Sequence, residues 1–377
     1  MKQDVMSNLF KDIYSASFYN KFSETLALTI PVFDKDEFMQ LIFNNEFAGL
    51  ELKQRMTHTA KVLHHFLSDD FVESSSTLKQ LIENLRAAGM KEESIEYMFL
   101  PEYISMYGLD NYEHAISAFE VVTQFTSCEF AVRPFIIKYE QQMLAQMLQW
   151  TSHENNMVRR LASEGSRPRL PWAMALPSFK IDPAPILSIL RNLKNDPCDI
   201  VRRSVANNLN DISKDNAATV IQLAKEWHGK NKSTDALIKH ACRTMLKQGV
   251  PEVLELFGFD SRDIELSNFQ ILTPTVCIGD QLAFSFTIVN TGKKTHMLRL
   301  EYGLYYMKNN GELSKKVFKI SEREVEPNRS YEINRKQNFK IITTRKFYTG
   351  THELSIILNG QESHRLSFDL LMPDAET

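Results

Sequence analysis

The hydrophobic period of this chain changes once, near residue 262, and that switch limits what the chain can fold into. Before it, apolar residues recur every three or four positions, as in LELKQRMTHTAKVLHHFL, STLKQLIENLRAAGM, PFIIKYEQQMLAQMLQW and AATVIQLAKEWHG. That spacing lines one face of a helix. After it the period is two. QLAFSFTIVN sets Leu282, Phe284, Phe286 and Ile288 on one side, and MLRLEYGLYYM does the same with Leu298, Leu300, Tyr302 and Leu304. HELSIILNG and ESHRLSFDLLM continue with Leu354, Ile356 and Leu358, then Leu366, Phe368 and Leu370. Such alternation marks half-buried strands, and Asn359-Gly360 between the last two is a hairpin turn. The expected fold class is mostly α, a helical part over residues 1–262, followed by an all-β immunoglobulin-like sandwich over 263–377. No Cys…Trp…Cys spacing supports an antibody-type domain.

The helical part repeats itself. Aligning Val158-Arg159-Arg160 of NNMVRRLASEG with Val201-Arg202-Arg203 of CDIVRRSVANN gives an offset of 43 residues. DALIKHACRTMLKQG, with Ile238 in register with Val201, reads as a looser third copy. A period near 40 belongs to HEAT-like helical repeats, which stack into a solenoid with an extended binding face.

At 377 residues, 43% hydrophobic and 24% charged, the chain has the material for two packed domains. MKQDVMSNLFK breaks up with charges too early for a secretory signal. No apolar run is long enough for a membrane span. Cys128, Cys198, Cys242 and Cys277 form no CxxC pair and have no histidine at zinc-finger spacing. The expectation is a reduced, cytoplasmic, monomeric protein that needs no metal or cofactor.

The formal net charge is −3, so any affinity for a polyanion must be local. Between Asn155 and Arg203 there are nine basic residues against four acidic ones. Arg159, Arg160, Arg202 and Arg203 recur at the repeat period, with Arg167 and Arg169 in the intervening RPRLPW loop. Stacked repeats would align these guanidinium groups along one wall, where they can follow a phosphate backbone with paired donors. Arg243 extends the row more weakly, and Arg345 and Lys346 form a second basic run in the sandwich. Solvated helix faces and salt bridges within each repeat are the alternative use of the same charges.

TSCEFAVRPFI (126–136), NMVRRLASEGSRPRLPW (156–172) and DIVRRSVANNLNDIS (199–213) together resemble the AlkC-type DNA alkylation repair glycosylases. These belong with the AlkD type among HEAT-like repeat proteins. LELKQRMTHTAKVL fits an N-terminal stretch of that family, and the strand-rich part resembles the immunoglobulin-like domain that many members append, so the likeness spans nearly the whole chain. The resemblance implies an enzyme that hydrolyses the N-glycosidic bond of cationic alkylated bases, such as 3-methyladenine and 3-methylcytosine, in double-stranded DNA, without flipping the base into a pocket. It places the catalytic residues at Glu129, Trp172 and Asp211, and it implies that the sandwich clamps DNA.

The chemistry suits those residue types. An N3-methylated base already carries positive charge and leaves without a general acid. What remains is an oxocarbenium-like sugar to stabilise and a water to direct, which a carboxylate does. An aromatic face beside the sugar adds cation–π attraction. Each residue also has a purely structural alternative. Thr126-Ser127-Cys128-Glu129 has the form of a capping box, Trp172 can anchor a core, and Asp211 can shape a turn. A non-catalytic repeat protein that binds nucleic acid or another protein is the alternative for the whole chain.

Overall fold

Short polar side chains start the helices at the N-terminal end. Ser15, Asp34 and Asp70 each accept a hydrogen bond from the first turn of the helix that follows. The computed structural model describes residues 10–92, 94–340 and 346–372. The first half holds α1 (Ala16–Thr29), α2 (Lys35–Ile42), α3 (Leu52–His65), α4 (Phe71–Ala87), α5 (Phe99–Tyr107), α6 (Tyr112–Thr123), α7 (Val132–Lys138) and α8 (Glu140–Trp150). There follow α9 (Asn156–Gly165), α10 (Pro177–Ile181), α11 (Ala184–Leu193), α12 (Asp199–Ile212), α13 (Ala217–Trp227), α14 (Lys232–Ala241), α15 (Arg243–Gln248) and α16 (Pro251–Leu256). None of the described helices is long and apolar enough to cross a membrane.

The repeat inferred from VRR is a packing repeat. α9 and α12 lie side by side, α12 also packs on α14, and α11 sits against α8, α9 and α12. Residues one period apart therefore meet: Asn208 Nδ2 donates to the Ser163 carbonyl at 2.8 Å, and Asn156 Nδ2 to Cys198 Sγ at 3.2 Å. Val158, Leu161, Val201, Val205 and Leu209 fill the seam. Gly165 closes α9 where a Cβ would stand 2.7 Å from Val132 Cγ2, so only glycine lets α9 approach α7 this closely.

The third copy breaks at Cys242, where α14 gives way to α15. The chain divides near the same point into two compact units, one reaching Val220 and including Trp227–Ala241, the other holding Ile221–Glu226 and the chain from Cys242. α15 and α16 thus cluster with the strands, which begin at Ile264. Gly249 after α15, at φ 72°, lies against the backbone of Gly360; a Cβ there would come within 2.8 Å of the Gly360 Cα.

The second unit carries β1 (Ile264–Ile271), β2 (Thr275–Cys277), β3 (Gln281–Asn290), β4 (His296–Met307), β5 (Leu313–Val325), β6 (Ser330–Asn338), β7 (Gly350–Leu358) and β8 (Gln361–Leu371). They form two sheets, β1-β3-β6 and β2-β8-β7-β4-β5, antiparallel except for β2 beside β8. The alternating faces read from the sequence meet between the sheets: Leu282, Phe284, Phe286 and Ile288 face Leu298, Leu300, Leu304, Leu354 and Ile356 in one core. Asn359-Gly360 turns β7 into β8 with positive φ at both residues.

Gly165→Ala gives a sharp test of the α7–α9 contact. In an ordinary helix this change stabilises by about 1 kcal/mol. Here overpacking against Val132 should reverse the sign and cost about 1–3 kcal/mol, read as a lower midpoint in urea unfolding.

Candidate active site

Two helices end on acids. Glu164 lies in the last turn of α9 and Asp211 in the last turn of α12. The negative end of a helix dipole disfavours a carboxylate there. Both acids are buried, and both depend on one arginine. Arg167 Nη1 donates to Glu164 Oε1 at 2.6 Å, and Arg167 Nε to Asp211 Oδ2 at 2.8 Å. Ser204 Oγ holds the second Glu164 oxygen at 2.5 Å, and Lys214 Nζ holds Asp211 Oδ1 at 2.9 Å. Asp211 spans one repeat back to Arg167, so stacking α12 on α9 is what brings the pair together.

The line continues on the other side. Arg160 Nη2 stands 3.9 Å from Glu164 Oε1, and Arg160 Nη1 donates to Glu129 Oε2 at 2.8 Å. Ser127 Oγ also donates to that oxygen. Glu129, Arg160, Glu164, Arg167, Asp211 and Lys214 therefore form one chain of alternating charge. Glu129 does not cap a helix: α7 starts three residues later, with Ala131 at its N-cap. The Glu129 side chain is 15% exposed, against 2% for Asp211. Burial raises the Glu129 carboxyl above the ordinary glutamate value; Arg160 opposes that shift and Glu164 adds to it. Burial pulls the Arg167 guanidinium down, but Glu164 and Asp211 outweigh it and hold the group above the ordinary arginine value.

Trp172 stands in the loop that leaves α9 through Arg167. It is 63% exposed, with φ 64°, and its ring meets Phe10 edge-on at 6.2 Å between centroids. It is no core anchor. Its carbonyl accepts a bond from Lys53 Nζ at 2.8 Å, and the same ammonium lies 5.5 Å over the ring of Phe130, the neighbour of Glu129. A second cation secures the loop: Arg133 Nε donates to the Met174 carbonyl at 2.6 Å and Nη1 to the Gly165 carbonyl at 2.9 Å. Burial, then Arg167, brings the Arg133 guanidinium down to about 10 against the pull of Asp211 and Glu164.

The other arginines singled out in the sequence have varied surroundings. Arg159 grips Asp196 with two bonds, at 2.6 and 3.0 Å, and also the carbonyls of His153 and Glu154. Arg202 ties the carbonyls of Asp196 and Pro197. Arg169 makes a two-bond pair with Asp215 at a partly exposed position. Arg203 is 71% exposed and stands 3.8 Å from Asp199. Arg243 is half-buried on α15. Lys346 is exposed, over the Tyr348 ring, and Arg345 lies outside the described residues. Among the described residues, no cluster of three or more His, Cys, Asp or Glu has the geometry to hold a metal.

Residues 34–245 match the family described as DNA alkylation repair enzyme. The chain belongs to that family. Its residues 265–372 match a second family, described as the C-terminal Ig-like domain of the uncharacterised protein YhaZ. Uncharacterized protein YhaZ of Bacillus subtilis strain 168 is 38% identical over 361 residues, covering 96% of this chain and 99% of the relative. Among solved structures, the Pseudomonas fluorescens alkylpurine DNA glycosylase AlkC, bound to DNA containing an abasic site analog, superposes with a TM-score of 0.89. It is 32% identical, and the alignment covers 96% of this chain and 99% of that one.

The span matched to the alkylation repair family holds the entire charged line, Trp172 and Lys53. Sequence reasoning missed Glu164, Lys214, Lys53 and Arg133. Glu164 left a signal: it stands four residues after Arg160 and three before Arg167, the helical reach of both. Lys53 left none, because its partner is a backbone carbonyl 119 residues away.

Removing Arg167 takes the shared cation from two buried carboxylates, leaving Asp211 with Lys214 alone and Glu164 with Ser204 and the more distant Arg160. Arg167→Ala should cost about 3–5 kcal/mol in chemical denaturation. Arg203→Ala, on the exposed side of α12, should leave the unfolding midpoint unchanged. Equal, negligible effects would mean that Arg167 does not bridge the acids.

Proposed function

We propose that the chain is a DNA glycosylase that removes cationic N3-methylated bases, 3-methyladenine and 3-methylcytosine among them, from duplex DNA. The observation that carries this reading is the line of alternating charge from Glu129 to Asp211, with Lys53 joining the carbonyl of the exposed Trp172 to the ring of Phe130 next to Glu129. Acids at helix C-termini cost stability, and a chain keeps such a cost where a fixed negative potential serves a ligand. The relative of known structure supports it, because an abasic site is what DNA holds after a base has been removed.

Glu129 and Asp211 then have different tasks. Both Asp211 oxygens are held, by Arg167 and Lys214, so its charge is fixed in place. In Glu129 the bonds from Ser127 and Arg160 go to Oε2, and Oε1 is the oxygen that accepts a proton from water. As the C1′–N bond breaks, its electron pair passes to the base, which departs neutral. The water oxygen bonds to C1′, and its proton passes to Glu129. The fixed carboxylates of Glu129 and Asp211 stabilise the sugar cation between these events, and the Trp172 ring faces it. An exposed indole suits a sugar presented at a surface, so the base need not enter a pocket. Arg203, Arg169 and Lys346 are the phosphate contacts in this reading; Arg159, Arg160, Arg167 and Arg202 mainly order the site.

Chromatography of bases freed from methylated DNA tests the proposal. The wild type should release 3-methyladenine, and Glu129→Gln should release it at least about 100-fold more slowly. Binding of intact duplex without base release by the wild type would instead indicate a non-catalytic binder. The pH profile follows from the raised Glu129 value. The active form is the carboxylate, so the rate should fall as pH drops through a midpoint above that of an ordinary glutamate. A rate that stays level down to the ordinary range would contradict Glu129 as the base.

A further inference from the structure

Trp172 holds a backbone conformation that L-residues with bulky side chains avoid. Something must maintain it, and the ring–ring contact with Phe10 is loose and solvent-facing. A turn bond from the Ala173 N–H to the Leu170 carbonyl at 3.3 Å closes the backbone around it, and the close side-chain contact is Lys53 Nζ to the Trp172 carbonyl. Lys53 itself is oddly placed, in the first turn of α3, where the helix dipole disfavours a cation. That turn is fixed by a capping box between Glu51 and Gln54. The ammonium therefore projects from a rigid base, reaches the strained residue, and rests over Phe130 next to Glu129.

We infer that Lys53 is a positioning residue for the excision reaction, holding the backbone of Trp172 so that the indole is presented in one orientation toward the sugar; this rests on the glycosylase reading above. Arg133 secures the same loop at both ends, at Gly165 and Met174, but it is buried and its removal threatens the fold. Lys53 lies at the surface of α3, so its substitution leaves the helix core intact. Its effect is exerted through Trp172 and not through the phosphate backbone, and this separates it from the arginines on α12.

A double-mutant cycle tests this on the full chain, with single-turnover excision from methylated duplex and binding to undamaged duplex as readouts. Lys53→Met keeps the aliphatic stem and removes the donor. It should slow excision by about 10- to 100-fold, with little change in undamaged-duplex affinity. In a Trp172→Ala background the same change should have no further effect, and Lys53→Arg should restore most of the rate. A second readout needs no activity. Trp150 and Trp227 are buried, so the exposed indole dominates fast depolarisation. Lys53→Met should add a nanosecond component to the fluorescence anisotropy decay that Trp172→Phe abolishes. Rate losses that multiply in the double variant, or an unchanged anisotropy decay, would overturn the inference. A wild-type rate in Trp172→Ala would overturn the glycosylase role of Trp172 itself, and the anisotropy decay would then decide on the clamp alone.

Discussion

Arg167 between Glu164 and Asp211 is the contact on which the rest of the site depends. It satisfies two acids that helix dipoles and burial both disfavour, and it does so across the seam between two repeats. Break it, and α9 and α12 each end in a buried acid that has lost its shared partner, with Lys214 and Arg160 left to offset the charge. Keep it, and the Glu164 and Asp211 carboxylates are fixed in place, so that no side chain has to move for them to act. Preorganisation of this kind, set up during folding and not during reaction, is usually the largest electrostatic contribution a protein makes to a step in which charge develops at a new centre, here the sugar.

The same geometry explains why so many of the arginines are not free. A solenoid with a period near 43 brings residues about one period apart into contact. Arg167 thus meets Asp211, and Arg169 meets Asp215. The positive excess counted along the sequence is largely consumed in such pairs. What reaches solvent is a thinner cationic surface, with Arg203 the clearest member. Long-range attraction of a phosphate backbone depends on the summed field, so pairing lowers non-specific affinity without removing it.

Much of the fold was legible in the sequence because it is local. The switch from helical to alternating period, the VRR offset and the Asn359-Gly360 hairpin all rest on neighbours a few residues apart, and the helices and strands formed where those patterns lay. The end of the repeat was not legible, because α15 joins the sandwich through a glycine–glycine contact with Gly360 that no periodicity reports. In the site, Glu129, Trp172 and Asp211 were singled out by motif likeness, and the charged line now gives Glu129 and Asp211 a shared electrostatic environment. Glu164 was passed over although its spacing from Arg160 and Arg167 announced it. Lys53 and Arg133 act on backbone carbonyls, and a carbonyl leaves no mark in the amino-acid sequence.

The central claim is that this surface is complementary to a sugar that has become positive. It is tested most directly by comparing the affinities of two duplexes, one with a neutral tetrahydrofuran and one with a cationic pyrrolidine in place of a deoxyribose. The wild type should bind the cationic ring more tightly, and Asp211→Asn or Glu129→Gln should reduce that preference without equal loss of affinity for the neutral one. Equal affinity for the two rings in the wild type would contradict the account.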